Sequence, residues 1–354
     1  MAKEINPQMI ILARESRGIV QSELAKNLGI SQSKLSKAEK GCQSLPDGAL
    51  DKLCNLLDYP HSFFYQNAPT TPVSHYYYRK RITIPQRTII QIDAIIQLLK
   101  KQIDSLIEAI ELPINPQIIY DPSEESPAEI ARKVRYLLNI PKNPINNLVN
   151  IIENQGILVI KTDLIHEKID AISSISDKGA RLIFLNSMLP NDRQRFSLAH
   201  EFGHMIMHME NIPSLESEVE IEANNFASEF LMPEDEITDS LRNLTFSKLG
   251  DLKRYWKVSM KALLFRAKQL NTINDNAYRN FQIMFSKEKI NKNEPIPLPE
   301  EQPYLLKEII KLHHDVLGYS NEELCKILHI NNGDFEERFS FSERPKLRIS
   351  RRII

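Results

Sequence analysis

Apolar residues recur along this chain at two different periods, and the places where the period changes divide it. Up to about Phe64 they fall at helical spacing in short runs, and Asn6-Pro7 reads as a helix start, an Asx cap followed by proline at the first helical position. Residues 84–113 read as one long amphipathic helix closed by Pro113. "SPAEIARKVRYLLNI" (126–140) has its stripe at Ile130, Val134, Leu137 and Leu138, and "INNLVNIIENQ" continues as helix to a stop at Gly156. The period then shortens. "GILVI" (156–160), "IDAISSI" (169–175) and "ARLIFLN" (180–186) are short and rich in β-branched residues, and the last two flank "SDKG", a hairpin signal. Helical spacing returns over 193–208 and again over 215–233, where Val219, Ala223, Phe226, Ala227 and Phe230 form a stripe that ends at Pro233. "NAPTTPVS" (67–74) and the four-proline stretch "NEPIPLPEEQP" (293–303) read as linkers. The prediction is a mostly helical α+β chain in four parts: 1–66, a linker and long connecting helix over 67–112, 113–290, and a helical C-terminal region over 304–354.

Length and composition narrow the classes. A chain of 354 residues holds two or three domains, and 42% hydrophobic content is ordinary for a globular protein. No run of 18 apolar residues is present, which argues against a membrane span, and the start "MAKEINPQMI" lacks a secretory apolar stretch, which predicts the cytosol. Cys42, Cys54 and Cys325 are odd in number and without ligand-like spacing, as expected of reduced thiols. The net charge of −1 excludes a globally basic nucleic-acid coat, but the N-terminal third is locally basic. Lys26, Lys34, Lys37 and Lys40 face Glu39 alone between positions 26 and 40.

"RQRFSLAHEFGHMIMH" (193–208) contains H-E-x-x-H on a helix. One turn apart, His200 and His204 share a face and reach one ion, while Glu201, rotated by about 100°, reaches water beside it. A zinc hydrolase needs a third protein ligand. Glu222 sits inside the apolar stripe of the next helix, where an unpaired carboxylate costs several kcal/mol. It is therefore the expected ligand, with Glu218 second and Glu220, like Glu218, on the flank of the stripe. His208 lies about 12 Å along the helix from His200, too far to share the ion, and reads as a C-terminal residue favoured by the dipole. His313 and His314 read as surface residues of a polar helix.

"RFSLAHEFGHMIMH" followed by "IEANNFASEFLMP" resembles the ImmA/IrrE family of metallopeptidases, as does the helix-then-strands layout before it and "KVSMKALLFRAKQL" (257–270) after it. The likeness covers about residues 120–300, with Phe202 where leucine is more usual. It implies a zincin-like, gluzincin-type domain over 113–290, binding one Zn2+ through His200, His204 and Glu222, with Glu201 as catalytic base. Mn or Fe would suit the same donors. An exposed sheet edge, such as residues 180–186, is a candidate cradle for an extended peptide.

"VQSELAKNLGISQSKLSKAEKG" (20–41) has helix-turn-helix spacing. Leu24, Ala25 and Leu28 face inward, Gly29 ends the first helix and Ser31 caps the second. Leu35 and Ala38 face inward in turn, leaving Ser33, Ser36, Lys37 and Lys40 outside, with Gln32 at the tip. Residues 7–65 resemble the XRE (phage-repressor-like) family, on Gln21, Gln32, Glu39 and Gly41. That resemblance implies a five-helix fold, often dimeric on palindromic sites, with Gln21, Gln32, Ser33, Ser36, Lys37 and Lys40 facing double-stranded DNA.

"SHYYYRKRITIP" (74–85) reads either as a phosphate-contacting element or as an aromatic connector, and residues 305–339 read as helix, Gly318, a Ser320 cap and a further helix, without an assigned role. Together the two resemblances imply a cytosolic transcriptional regulator with zinc-dependent endopeptidase activity, acting on an XRE-type repressor to relieve repression. Two other readings are compatible with the same residues: a transcription factor whose zincin domain senses without cleaving, and an antitoxin-like regulator that holds a peptide uncut.

Overall fold

In a computed structural model of the chain, residues 4–71, 73, 84–110, 118–209, 216–290 and 294–339 are described. Four short helices open it: α1 (Pro7–Ser16), α2 (Gln21–Leu28), α3 (Gln32–Glu39) and α4 (Ala49–Leu57), followed by a 3-10 turn at His61–Tyr65. Their ends follow from local chemistry. Asn6 accepts the Gln8 N–H, Gly29 takes a left-handed φ of 73°, and Ser31 accepts the Lys34 N–H. Met9, Ala13, Leu24, Leu35, Leu53, Phe63 and Phe64 form their core.

The long helix α5 (Gln86–Ile107) begins after Pro85 and is shorter than the 84–113 pattern suggests; Pro113 lies outside the described residues, as do positions 74–83 of the tyrosine-rich basic stretch. α6 (Pro127–Leu137) starts with a capping box between Ser126 and Glu129, and α7 (Leu148–Glu153) is capped by Asn147. The helix expected to run on to Gly156 is thus interrupted. Asn139 adopts a left-handed φ of 51° and Pro141 follows, a combination that ends α6.

Among the described residues the strands are β1 (Ile157–Thr162), β2 (Ala171–Ile175) and β3 (Arg181–Asn186), in the order β1-β3-β2. β1 and β3 run parallel with Val159 beside Ile183, and β2 and β3 run antiparallel with Ser173 beside Ile183. β3 is therefore central, and residues 180–186 do not form the free edge expected of them. β1 and β2 hold the edges. Alternation buries both faces. Val159, Ala171, Ile183 and Leu185 join the core of the following helices, while Leu158, Ile160, Ile172, Leu182 and Phe184 pack with α5 and the C-terminal helices.

On the first face lie α8 (Asn191–Met207), α9 (Glu216–Leu231), α10 (Glu234–Ile237), α11 (Phe246–Trp256), α12 (Met260–Gln269) and α13 (Asp275–Lys287). α14 (Leu305–Asp315), α15 (Asn321–Leu328) and α16 (Asn332–Phe339) cover the second face together with α5. The proline-rich stretch before α14 is no free linker from residue 294 on. Glu294 accepts the N–H groups of Met260 and Lys261 at the start of α12, and Glu301 accepts those of Leu148 and Val149 at the start of α7. Carboxylates at helix N-termini are favoured by the dipole and by the unpaired donors there. His313, expected at the surface, is 1% exposed, with its Nε2 on the Leu106 carbonyl, because α14 turns that side towards α5. The N-terminal lobe rests on the same elements: Arg87 donates to the Gly18 carbonyl, and Arg17 pairs with Asp334 of α16 at 2.9 Å. Among the described residues, no helix is long and apolar enough to cross a membrane.

Candidate metal centre and recognition helix

α8 is buried all round from Leu198 to His208, so its polar side chains point into the protein. A helix of this kind holds histidines inside only where they find partners. His200 and His204 face each other through their Nε2 atoms at 3.0 Å. Glu220 of α9 approaches both, at 3.6 Å from His200 Nε2 and 3.3 Å from His204 Nε2. The three ligand atoms lie within 4.8 Å of one another. α9 comes this close because residue 203 is glycine. An added Cβ there would lie 2.8 Å from the Phe226 ring.

Glu222, the ligand expected from its place in the apolar stripe, is elsewhere: its Oε2 is 2.9 Å from His208 Nε2. The correction has a geometric cause. Two residues further along a helix turn the side chain by about 200°, so Glu220 and Glu222 cannot face the same neighbour. Glu220 shares its side with Asn224 one turn later, and Asn224 Oδ1 meets His200 Nδ1 at 3.1 Å. Glu218 is exposed. Glu220 and Asn224, four residues apart on one side of α9, thus reach the two imidazoles together, and the many polar residues of this helix gave no signal in the sequence that singled them out.

The donor set fits zinc. Two imidazole nitrogens and one carboxylate converge, and each imidazole has its second nitrogen engaged, with His204 Nδ1 at 3.1 Å from His208 Nδ1. Burial pushes the His204 pKa down, and for His208 down to about 3, so both rings are neutral, the form a metal requires. Burial alone would raise the Glu220 carboxyl, but the two imidazoles beside it outweigh this and hold Glu220 well below the usual carboxylate range. Burial raises Glu222, assisted by Glu218 and Asp121.

Glu201 accepts the Ser173 N–H of edge strand β2 at 2.8 Å through Oε2, which fixes the position of that carboxylate oxygen. Beside the site, a cavity of about 540 Å3 opens between Ser197, Asn224, Phe196, Phe265 and Tyr278.

In the N-terminal lobe, Gln32, Ser33, Lys37 and Lys40 are exposed on α3, and Gln21 and Ser36 are half-buried. Gln21 donates to Glu39 at 2.8 Å and accepts from Gln32 at 3.3 Å. Glu39 is 3% exposed and paired with Arg14 at 2.8 Å. Arg14, which sequence reading passed over, thus anchors a chain of polar contacts running from α1 to the tip of α3.

Comparison with known families agrees with this division. Residues 152–268 match the model of the M78 peptidase family described as an IrrE N-terminal-like domain, and residues 10–64 match a helix-turn-helix model. The chain is an XRE-type helix-turn-helix unit fused to an ImmA/IrrE-type domain. A search of curated proteins found no match.

Proposed function

We propose that this chain is a cytosolic DNA-binding regulator whose second domain is a zinc-dependent endopeptidase, cutting an XRE-type repressor to relieve repression. The observation that carries the reading is the meeting of His200, His204 and Glu220 with Glu201 alongside on the same helix. When bound, zinc supplies Lewis acidity for a peptide carbonyl and for water. Those three side chains would hold the ion. Glu201 Oε1 takes a proton from the attacking water and delivers it to the leaving amine, while the Ser173 N–H keeps the other oxygen in place. The outer edge of β2, next to Glu201, is the place where an extended substrate backbone would lie. Gln21, Gln32, Ser33, Ser36, Lys37 and Lys40 form the DNA-facing surface, the lysines on phosphates and the shorter polar groups on base edges.

The test compares purified wild type with Glu201→Gln after measuring bound metal, each incubated with the repressor encoded nearest the gene. Cleavage by the wild type alone, at equal metal content, supports the enzyme. Equal cleavage by both removes Glu201 from the chemistry, and no cleavage by a metal-loaded wild type favours the sensor reading.

A further inference from the structure

The structure carries a polar path that ligand counting leaves over. From His204 Nδ1 it runs 3.1 Å to His208 Nδ1, and from His208 Nε2 it runs 2.9 Å to Glu222 Oε2. His208 is fully buried at the end of α8, and the Glu222 side chain is 27% exposed. The protons along this path are fixed by its last member. An ionised carboxylate only accepts, so His208 Nε2 must donate to it, which leaves His208 Nδ1 an acceptor. His204 Nδ1 must then donate, and the lone pair of His204 Nε2 faces His200 and Glu220.

His200 reaches the same tautomer by a shorter route, since the carbonyl oxygen of Asn224 accepts from its Nδ1. The two imidazoles therefore differ in backing. One rests on a neutral amide, the other on a carboxylate through an intervening ring. A carboxylate behind an imidazole raises the basicity of the far nitrogen and fixes the ring's orientation. A cap at the helix end does not account for this arrangement, because the dipole argument needs a charged ring near solvent, whereas His208 is 0% exposed and lies between another imidazole and an acid.

We propose that His208 and Glu222 are positioning residues, a carboxylate–imidazole relay that holds His204 in its metal-binding tautomer and strengthens it as a ligand. The proposal rests on the metal-centre reading above. It also explains why Glu222 lies on the inward stripe without being a ligand.

The experiment titrates the full-length apo chain with Zn2+ against a chromophoric chelator and with Co2+ by visible absorption. Wild type is compared with Glu222→Gln, His208→Leu, their double variant, and Glu220→Gln. Outer-shell changes of this kind weaken metal affinity by about 10–100-fold. Glu222→Gln and His208→Leu are expected to bind one ion within that range below wild type, with a shifted Co2+ spectrum and an unchanged apo melting temperature. The double variant should be no weaker than His208→Leu, because both residues act along one path. Wild-type affinity and spectrum in both single variants, with tight binding lost in Glu220→Gln, would overturn the relay and leave the metal centre standing. A wild type that binds neither ion would overturn both. Should His208→Leu lower the apo melting temperature, Glu222→Gln decides alone: weaker binding supports the relay, and undiminished binding ends it.

Discussion

Glu39 in the N-terminal lobe and Glu220 in the metal lobe are both carboxylates turned inward, yet among the described residues only Glu39 meets a guanidinium of its own chain. Arg14 pairs with Glu39 at 2.8 Å, and the remaining capacity of that carboxylate steadies Gln21 and through it Gln32. Glu220 meets two imidazoles whose nitrogens already crowd each other at 3.0 Å. A charge balanced from within acts as scaffold and sends its effect to a surface. A negative group facing only lone-pair donors marks a place for a cation from outside. The metal lobe contains the scaffold type as well: Glu229, 1% exposed, is held by Arg266 and, at 3.1 Å, by Arg132.

The contrast can be tested at each of these carboxylates. The largest effect is expected at the scaffold pair of the metal lobe, where Arg266→Met leaves Glu229 short of its buried partner and should cost about 3–5 kcal/mol in urea unfolding. A loss below about 1 kcal/mol would show that this pair is not scaffold. Next comes the open site. Zinc at a hundred times its Kd should stabilise the wild type by about 2.7 kcal/mol, and His204→Ala should abolish that gain in calorimetry. Zinc stabilisation that survives the substitution would move the ion elsewhere. Glu39→Gln strands Arg14 and should cost about 1.5–3 kcal/mol with no change in zinc binding; a change in zinc binding would mean the two lobes are coupled. The smallest change concerns the surface that Glu39 supports. Lys37→Ala with Lys40→Ala should reduce the slope of log affinity for DNA against log salt by about 2, with the fold intact by circular dichroism. An unaltered slope would take α3 off the phosphates.

Much of the architecture was readable before any coordinates. The strands fell where the period changed, and Asn6, Gly29 and Ser31 began or ended helices where their side chains and backbone freedom required. Misreadings arose where a segment's surroundings outweighed its own pattern. Residues 180–186 look like any alternating strand, and only pairing on both sides made β3 central. Residues 294–303 look like a linker by proline content, yet Glu294 and Glu301 bind helix starts more than thirty and a hundred and fifty positions away. His313 sits in a helix with polar neighbours and is buried only because α5 lies against it.

Local sequence determined the placing of His200, Glu201 and His204 around one helical turn, since helix geometry alone puts i and i+4 on one face. It also determined the inner and outer sides of the helix-turn-helix, for the same reason. The choice of Glu220 over Glu222 was made by tertiary structure. Both lie on one amphipathic helix, and which of them meets the imidazoles depends on how α9 settles against Gly203 of α8. Periodicity tells which side of a helix is buried. It carries no information on what that side is buried against, because that contact is set by packing between segments distant along the chain.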